Sequence, residues 1–241
     1  MKIKYLFFAL IMGGLAFSSC QKAPTTQDLS RPTYFADFTM TGASTILAPC
    51  GSSYTEPGIS AEENGTPVDV KTVVSNGTYF DSPGVDTEVS DIYHISYSAV
   101  NSDGYPGATE RTVIVACNGD MAANSIEGLY LSTTVRNNGD TKSGLKYIVI
   151  NKTGPDTYQL SHGLGGFYDL GRGYGDGYAA KGSNITFANG EFTVSDGVLP
   201  NWGYGVTVSD FTVDAATKTI TYKGTASFGS SWNVTLTQVE L

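Results

Sequence analysis

From residue 33 onward, apolar and polar positions alternate in short runs, and the period is two almost everywhere. In Ile92-Tyr93-His94-Ile95-Ser96-Tyr97-Ser98-Ala99, the residues Tyr93, Ile95, Tyr97 and Ala99 alternate with a more polar set, as in a strand with one packed and one wet face. Asn101-Ser102-Asp103-Gly104 follows, rich in residues that tolerate turn geometry, before Arg111-Thr112-Val113-Ile114-Val115 restarts the pattern. Strands are predicted over 34–41, 68–75, 92–100 and 110–116. After the polar stretch Asn118 to Ser125, further strands are predicted over 126–131, 145–152, 157–161, 185–188, 191–195, 206–213, 219–223 and 232–241. Trp232, Val234 and Leu236 share one face of the last run and are expected in the core. The same pattern makes Phe211 with Val213, and Ile220 with Tyr222, core pairs. Many short strands joined by short turns describe an all-β chain whose second half is an antiparallel meander, either a sandwich or a closed barrel, with the barrel preferred.

One stretch breaks the alternation. Lys2 and Lys4 are followed by an almost unbroken apolar run from Tyr5 to Phe17, then Ser18, Ser19 and Cys20, the layout of a secretory signal. The run is shorter than the ~20 residues a membrane-spanning helix needs, so residues 1–19 are expected to be removed. Cys20 directly after Phe17-Ser18-Ser19 resembles the lipobox of bacterial lipoproteins. That resemblance implies a diacylglyceryl group on Cys20 and acylation of its freed amine, and more than one buried chain makes anchoring stable. The alternative is a secreted protein with a chance cysteine at its cleavage site. Residues 20–32 hold almost nothing to bury and read as a lipidated cysteine with a flexible tether. The tether resembles those of surface lipoproteins in Gram-negative glycan foragers, although Gln21-Lys22-Ala23-Pro24 stands where their acidic export patch is common. The implied address is an outer-membrane lipid anchor facing the cell surface, with a periplasmic orientation as the alternative.

Composition narrows the partners. The 241 residues include 29 Gly and 15 Tyr, only 15% are charged, and the formal net charge is −9. An acidic surface disfavours nucleic acid and anionic lipid headgroups. With Cys20 committed to lipid, Cys50 and Cys117 remain as an even pair in an oxidising compartment. They would close a 67-residue loop, or else stand as two buried unbridged thiols. No Cys/His spacing marks a zinc site, and no cofactor is expected.

Residues 33–118 resemble the bacterial surface immunoglobulin-like domain. The resemblance is carried by Ser53-Tyr54-Thr55-Glu56-Pro57-Gly58-Ile59-Ser60-Ala61 and by Tyr93-His94-Ile95-Ser96-Tyr97 followed by Asp103-Gly104 and Glu110-Arg111-Thr112-Val113. It implies a β-sandwich acting as a spacer or interaction module. His94 lies on the polar face and reads as solvated. Asn101 and Asp103 lack the further carboxylates a calcium shell needs. A hinge is expected over 119–125, leading into a C-terminal β domain over 126–241.

That second domain carries the unusual chemistry. The segment from His162 to Tyr178 is too glycine-broken for a regular element, and it has neither the closing Lys-Ser/Thr of a P-loop nor the context of a dinucleotide fingerprint. Phe167, Tyr168, Tyr174 and Tyr178 stand among its glycines with Asp169, Arg172 and Asp176 nearby, and Asn201-Trp202-Gly203-Tyr204-Gly205 offers a second aromatic loop. Flat rings stack on sugar faces, while carboxylate and guanidinium groups hydrogen-bond hydroxyls. The candidate ligand-binding set is therefore Trp202, Tyr204, Tyr174, Tyr178, Tyr168, Phe167, Asp176 and Arg172. The competing reading is that the tyrosines plug a barrel end and the glycines make bulges and corners. The Gly-Gly-Phe-Tyr and Gly-Arg-Gly-Tyr-Gly pattern, with the ending from Trp232 to Glu240, resembles the C-terminal domain of lipoproteins associated with starch-utilisation-type surface systems, which implies glycan-related work and transfers no catalytic residue.

Enzyme classes find little support. There are only two histidines, His94 and His162, and no Gly-x-Ser-x-Gly elbow. A glycosidase pair drawn from Asp169, Asp176, Asp196 and Asp210 stays open, since two carboxylates suffice. No catalytic residue is assigned. The leading expectation is a non-catalytic surface lipoprotein that binds glycan through its C-terminal domain, with the immunoglobulin-like domain as spacer. The alternative is a structural or protein-interaction subunit of an outer-membrane transport complex.

Overall fold

A computed structural model describes residues 31–240. The expected signal peptide, Cys20 and the tether as far as residue 30 lie outside the described residues. Of these, residues 35–240 belong to one compact unit.

Its first part is a two-sheet sandwich. β1 (Asp37–Met40), β3 (Ile59–Glu63) and β4 (Thr66–Val68) form a three-stranded sheet in the order β1-β3-β4, and β2 (Thr45–Pro49), β5 (Lys71–Val74), β6 (Asp91–Val100) and β7 (Pro106–Ala116) form a four-stranded one in the order β2-β7-β6-β5. The alternation in β6 is as the sequence predicts: Tyr93, Ile95, Tyr97 and Ala99 are buried. They pack with Ala48, Val113 and Val115 against Phe38, Met40 and Ile59 of the opposite sheet. β2 and β3 are not predicted by pattern, because Thr45-Ile46-Leu47-Ala48-Pro49 and Ile59-Ser60-Ala61-Glu62-Glu63 each bury only one residue fully.

One buried charge ties the sandwich. Arg111 is fully enclosed, and its guanidinium donates to Glu56 at 2.9 Å, to the carbonyls of Thr41 at 2.7 Å and Gly58 at 3.3 Å, and to that of Ala43. Thr41 and Ala43 lie in the connection from β1 to β2, and Glu56 and Gly58 in that from β2 to β3, so a single side chain fastens two connections. A buried cation is tolerated only when paired and hydrogen-bonded in this way.

β2 runs parallel to β7 with Thr45 opposite Thr112 and Pro49 opposite Ala116. This register carries one residue further to Cys50 and Cys117, which are bridged with their Cα atoms 4.9 Å apart.

The second part is a nine-stranded antiparallel sheet in the order β12-β11-β10-β9-β8-β16-β15-β14-β13. Its strands are β8 (Gly128–Arg136), β9 (Thr141–Gly154), β10 (Thr157–Leu160), β11 (Ser183–Ala188), β12 (Glu191–Val194), β13 (Gly197–Leu199), β14 (Tyr204–Asp214), β15 (Thr219–Ala226) and β16 (Ser230–Gln238). The sheet curls until β11 and β12 approach β13 and β14, and the Lys181–Val198 bridge links its two ends. Trp232, Val234, Leu236, Ile220 and Tyr222 face the enclosed core, as the pattern predicts. Phe211 and Val213 are only partly buried, because β14 shifts register between Ser209 and Thr212 with Asp210 at φ 55°.

The stretch 119–125 is folded rather than free. Asp120 caps a 3-10 turn over Met121–Ala123, and Met121 is buried in the barrel core. The Asn118 side-chain amide donates to the carbonyl of Val239, and that of Gln238 to the carbonyl of Gly119. Beside this connection Ile114 and Ala116 of the sandwich pack on Leu129 and Val149 of the barrel, flanked by Tyr79, Phe80, Ile92, Tyr147 and Val239.

Replacing Cys50 and Cys117 together by Ser should lower the unfolding free energy on the order of 4 kcal/mol, the chain-entropy value for a loop of this length. Denaturant unfolding measures this directly. An unchanged midpoint would show that the bridge contributes nothing.

Candidate functional site

The glycine-rich segment divides into two halves with different tasks. The first half, His162 to Gly171, turns inward and fills the barrel: Leu164 and Phe167 join its core. Its backbone is tied to the surrounding strands, with the Ser132 hydroxyl donating to the Gly165 carbonyl at 2.8 Å and the Tyr222 hydroxyl to the His162 carbonyl at 2.7 Å. Gly224 on β15 permits this, since a Cβ there would lie 2.3 Å from the Gly163 carbonyl oxygen. Phe167 is therefore removed from the ligand-binding set: it is 0% exposed and has no face to offer a sugar. For this half the plug reading holds.

The second half, Arg172 to Tyr178, returns to the surface. Tyr174 is 47% exposed and Tyr178 half-buried. Trp202, 37% exposed, arrives from the turn between β13 and β14. The two loops meet, with Trp202 4.9 Å from Tyr178 and 6.2 Å from Tyr174, ring centre to ring centre. Tyr168, nearly buried, lies beneath them and meets Trp202 edge-on at 4.7 Å. Edge-to-face contacts of this kind fix ring orientation.

The floor continues from Tyr168 to the buried Trp232 at 5.7 Å, then to Phe228 at 6.1 Å and on to Tyr204, 4.9 Å from Phe228. Tyr204 and Phe228 are both exposed. Phe228 escapes the sequence reading, although an aromatic in Ser227-Phe228-Gly229, at the apex of the β15–β16 hairpin, is a signal. The structure thus brings together Trp202, Tyr204, Tyr174, Tyr178 and Tyr168. Arg172 stands beside them, its guanidinium 5.2 Å from the Phe167 ring and bonded to Asp140 at 2.7 Å. Asp176 is exposed on the same loop.

Beneath this face lies a buried polar pair. His162 Nε2 and Asp169 Oδ2 stand 2.6 Å apart, out of line for a hydrogen bond, and both side chains are buried. His162 Nδ1 contacts the Ser161 hydroxyl at 2.5 Å, and that hydroxyl accepts from the Val149 amide. The Tyr79 ring of the first domain covers the imidazole at 4.5 Å, and Lys181, which donates to the Thr78 carbonyl, lies over the other ring at 5.2 Å. Burial pushes the Asp169 carboxyl upward, but the facing His162 charge and the amides of Asp169 and Leu170 outweigh it and hold the group below the ordinary carboxylate range. Ser, His and Asp are adjacent here, but enclosure denies them a substrate, and Asp169 ceases to be a glycosidase candidate for the same reason. Among the described residues no group of three or more His, Cys, Asp or Glu could hold a metal, and no helix is long and apolar enough to cross a membrane.

With this geometry in hand, the relatives can be placed. Residues 118–238, half of the chain, match the family profile of the BT2262-like C-terminal domain. The chain belongs to this family. Residues 38–115 match the bacterial surface protein Ig-like domain. The crystal structure of the lipoprotein BT2262 from Bacteroides thetaiotaomicron is 27% identical, with 85% of this chain and 100% of that chain covered and a TM-score of 0.63. A redesigned β-barrel, 20% identical over 49% of this chain and 96% of that one, has a TM-score of 0.34, too low to carry weight. No curated protein matches. The chain is thus a BT2262-like surface lipoprotein relative with an Ig-like domain, and neither family description names a catalytic activity.

Asp169→Asn should destabilise the protein by about 3 kcal/mol, because it leaves a buried partner uncompensated. A carboxylate held low in the folded state contributes stability that is complete above its unfolded pKa of about 3.9 and disappears as pH falls through the lower folded value. The difference between parent and variant should therefore shrink as pH falls below about 4. A difference that does not change with pH would show that the pair is not ionic.

Proposed function

We propose that this BT2262-like protein is a non-catalytic lipoprotein, anchored in the outer membrane through Cys20 and displayed at the cell surface. In this reading it holds glycan on the aromatic face, and the Ig-like domain is its spacer. The observation that carries it is the convergence of exposed Trp202 and Tyr174 with Tyr178 over Tyr168. Rings partly open to water and fixed by their neighbours give apolar surface for a sugar face at small ordering cost. The enclosed Ser161, His162 and Asp169 support the non-catalytic part, since this cluster has no open approach.

Trp202→Ala and Tyr174→Ala in the soluble mature chain should each weaken glycan binding by about tenfold or more, equivalent to about 1.4 kcal/mol. Both residues are exposed, so unfolding stability should move by less than about 1 kcal/mol. Calorimetric titration with a glycan panel tests this, and undiminished binding in both variants would remove the face from consideration.

A second reading has its own observation. β5 is an edge strand whose four residues are all exposed, with Val73 and Val74 near half-open. Such an edge suits strand addition by a protein partner, as in a subunit of an outer-membrane complex. Val73→Lys would then abolish co-purification with that complex and leave glycan binding intact.

A further inference from the structure

Resting on the glycan reading, we propose that the ligand on this face is anionic, a glycan carrying uronate or sulfate groups. The chain has 14 basic residues and a net charge of −9, yet three of its cations gather at the aromatic floor. Arg136 lies with its guanidinium 5.3 Å from the Trp232 ring, and Arg172 and Lys142 lie 5.2 Å and 5.9 Å from the Phe167 ring. Phe167 and Trp232 are 5.5 Å apart and both meet Tyr168, so the three cations border the same patch from which Trp202 and Tyr174 rise.

Their origins make this more than a chance run of basic residues. Arg136 ends β8, Lys142 begins β9, and Arg172 comes from the returning half of the glycine-rich loop. Asp140, in the turn between β8 and β9, bonds both Lys142 at 3.0 Å and Arg172 at 2.7 Å. One carboxylate thereby positions two cations without neutralising both. Arg136 is held by the Ser230 hydroxyl at 2.7 Å. Asp176, exposed on the loop, and Asp169, paired with His162, are the other carboxylates of this loop. Lys142 and Arg172 keep part of their surface open.

A neutral sugar can accept hydrogen bonds from these groups but cannot pair with their charge. A planar carboxylate or a sulfate matches the guanidinium fork, and the surrounding negative surface would repel the same ligand everywhere else, fixing its register on this patch.

The experiment compares charged glycans with their neutral counterparts by calorimetry on the mature chain carrying Cys20→Ser: oligogalacturonate against its methyl ester, and carrageenan oligosaccharides, which carry sulfate but no uronate, against the desulfated form. The expected result is that one charged member binds at least about tenfold tighter than its partner and weakens as salt is raised. Combining Arg172→Gln with Lys142→Gln should bring it down to the neutral partner's level. Which pair shows the effect tells uronate from sulfate. Equal binding of charged and neutral members, lost in Trp202→Ala, would overturn the anionic assignment and leave the aromatic face standing. Binding of none of the four would sink the glycan reading and this proposal with it.

Discussion

The crossing of Gly163 over Gly224 is the contact on which the second domain depends. No side chain fits at Gly224, because its Cβ would press into the Gly163 carbonyl, so the inward half of the loop can lie against β15 only where residue 224 is glycine. Small barrels usually fill their lumen with side chains from their own strands. This one adds a stretch of main chain as well, and that stretch brings peptide groups that must be satisfied. Ser132, Thr134 and Tyr222 supply donors to Gly165, Leu164 and His162 in turn. The polar residues on the inner faces of β8 and β15 are thus explained by the loop they receive.

The same crossing determines what reaches the surface. Once Leu164 and Phe167 are seated, Tyr168 stops at the rim, and the chain emerges with Tyr174 and Tyr178 beside Trp202. Loops are ordinarily the mobile part of a fold, but this one is fastened from inside by the His162–Asp169 pair and from the first domain by Tyr79. The buried pair need add no net stability to serve this end. Its effect is that the loop has one arrangement, as a buried polar pair can specify geometry even where an apolar replacement would be equally stable.

Much of this was legible in the sequence, for identifiable reasons. Wherever one face is buried and the other wet, as in β6 and β16, alternation gave the strand and its core residues together. It failed for β2, β3 and β13, which are short and bury one residue fully each, so their pairing is decided by partners distant in sequence. The aromatic loops were visible as a composition anomaly, but which rings face water was not. Phe167 and Tyr168 are neighbours of equal apparent promise, and only the Gly163–Gly224 crossing turns the first inward. Arg136, Asp140 and Phe228 were missed because they belong to hairpin ends more than twenty residues from the glycine-rich loop or its Trp202 partner, and single-chain patterns carry no sign of such convergence. The stretch 119–125 looked like a hinge because it is polar, yet Asp120 is polar as a cap and Met121 is its buried anchor.

That last point bears on how the face can act. With Ile114 and Ala116 packed on Leu129 and Val149, and with Asn151 accepting from the Ser90 amide, the sandwich and barrel share an apolar seam closed at its polar margin. Separating them would expose those side chains and break the Tyr79 cover on His162. On the proposed reading, binding at the aromatic face would therefore not be accompanied by closure of one domain on the other. Affinity for the proposed ligand would then come from a surface already formed, which keeps the ordering cost small but also limits the contact area to what the rings and the cations around them present. A preformed, open face of this kind favours ligands with a repeating apolar side and charges at a fixed spacing over ligands that must be enclosed.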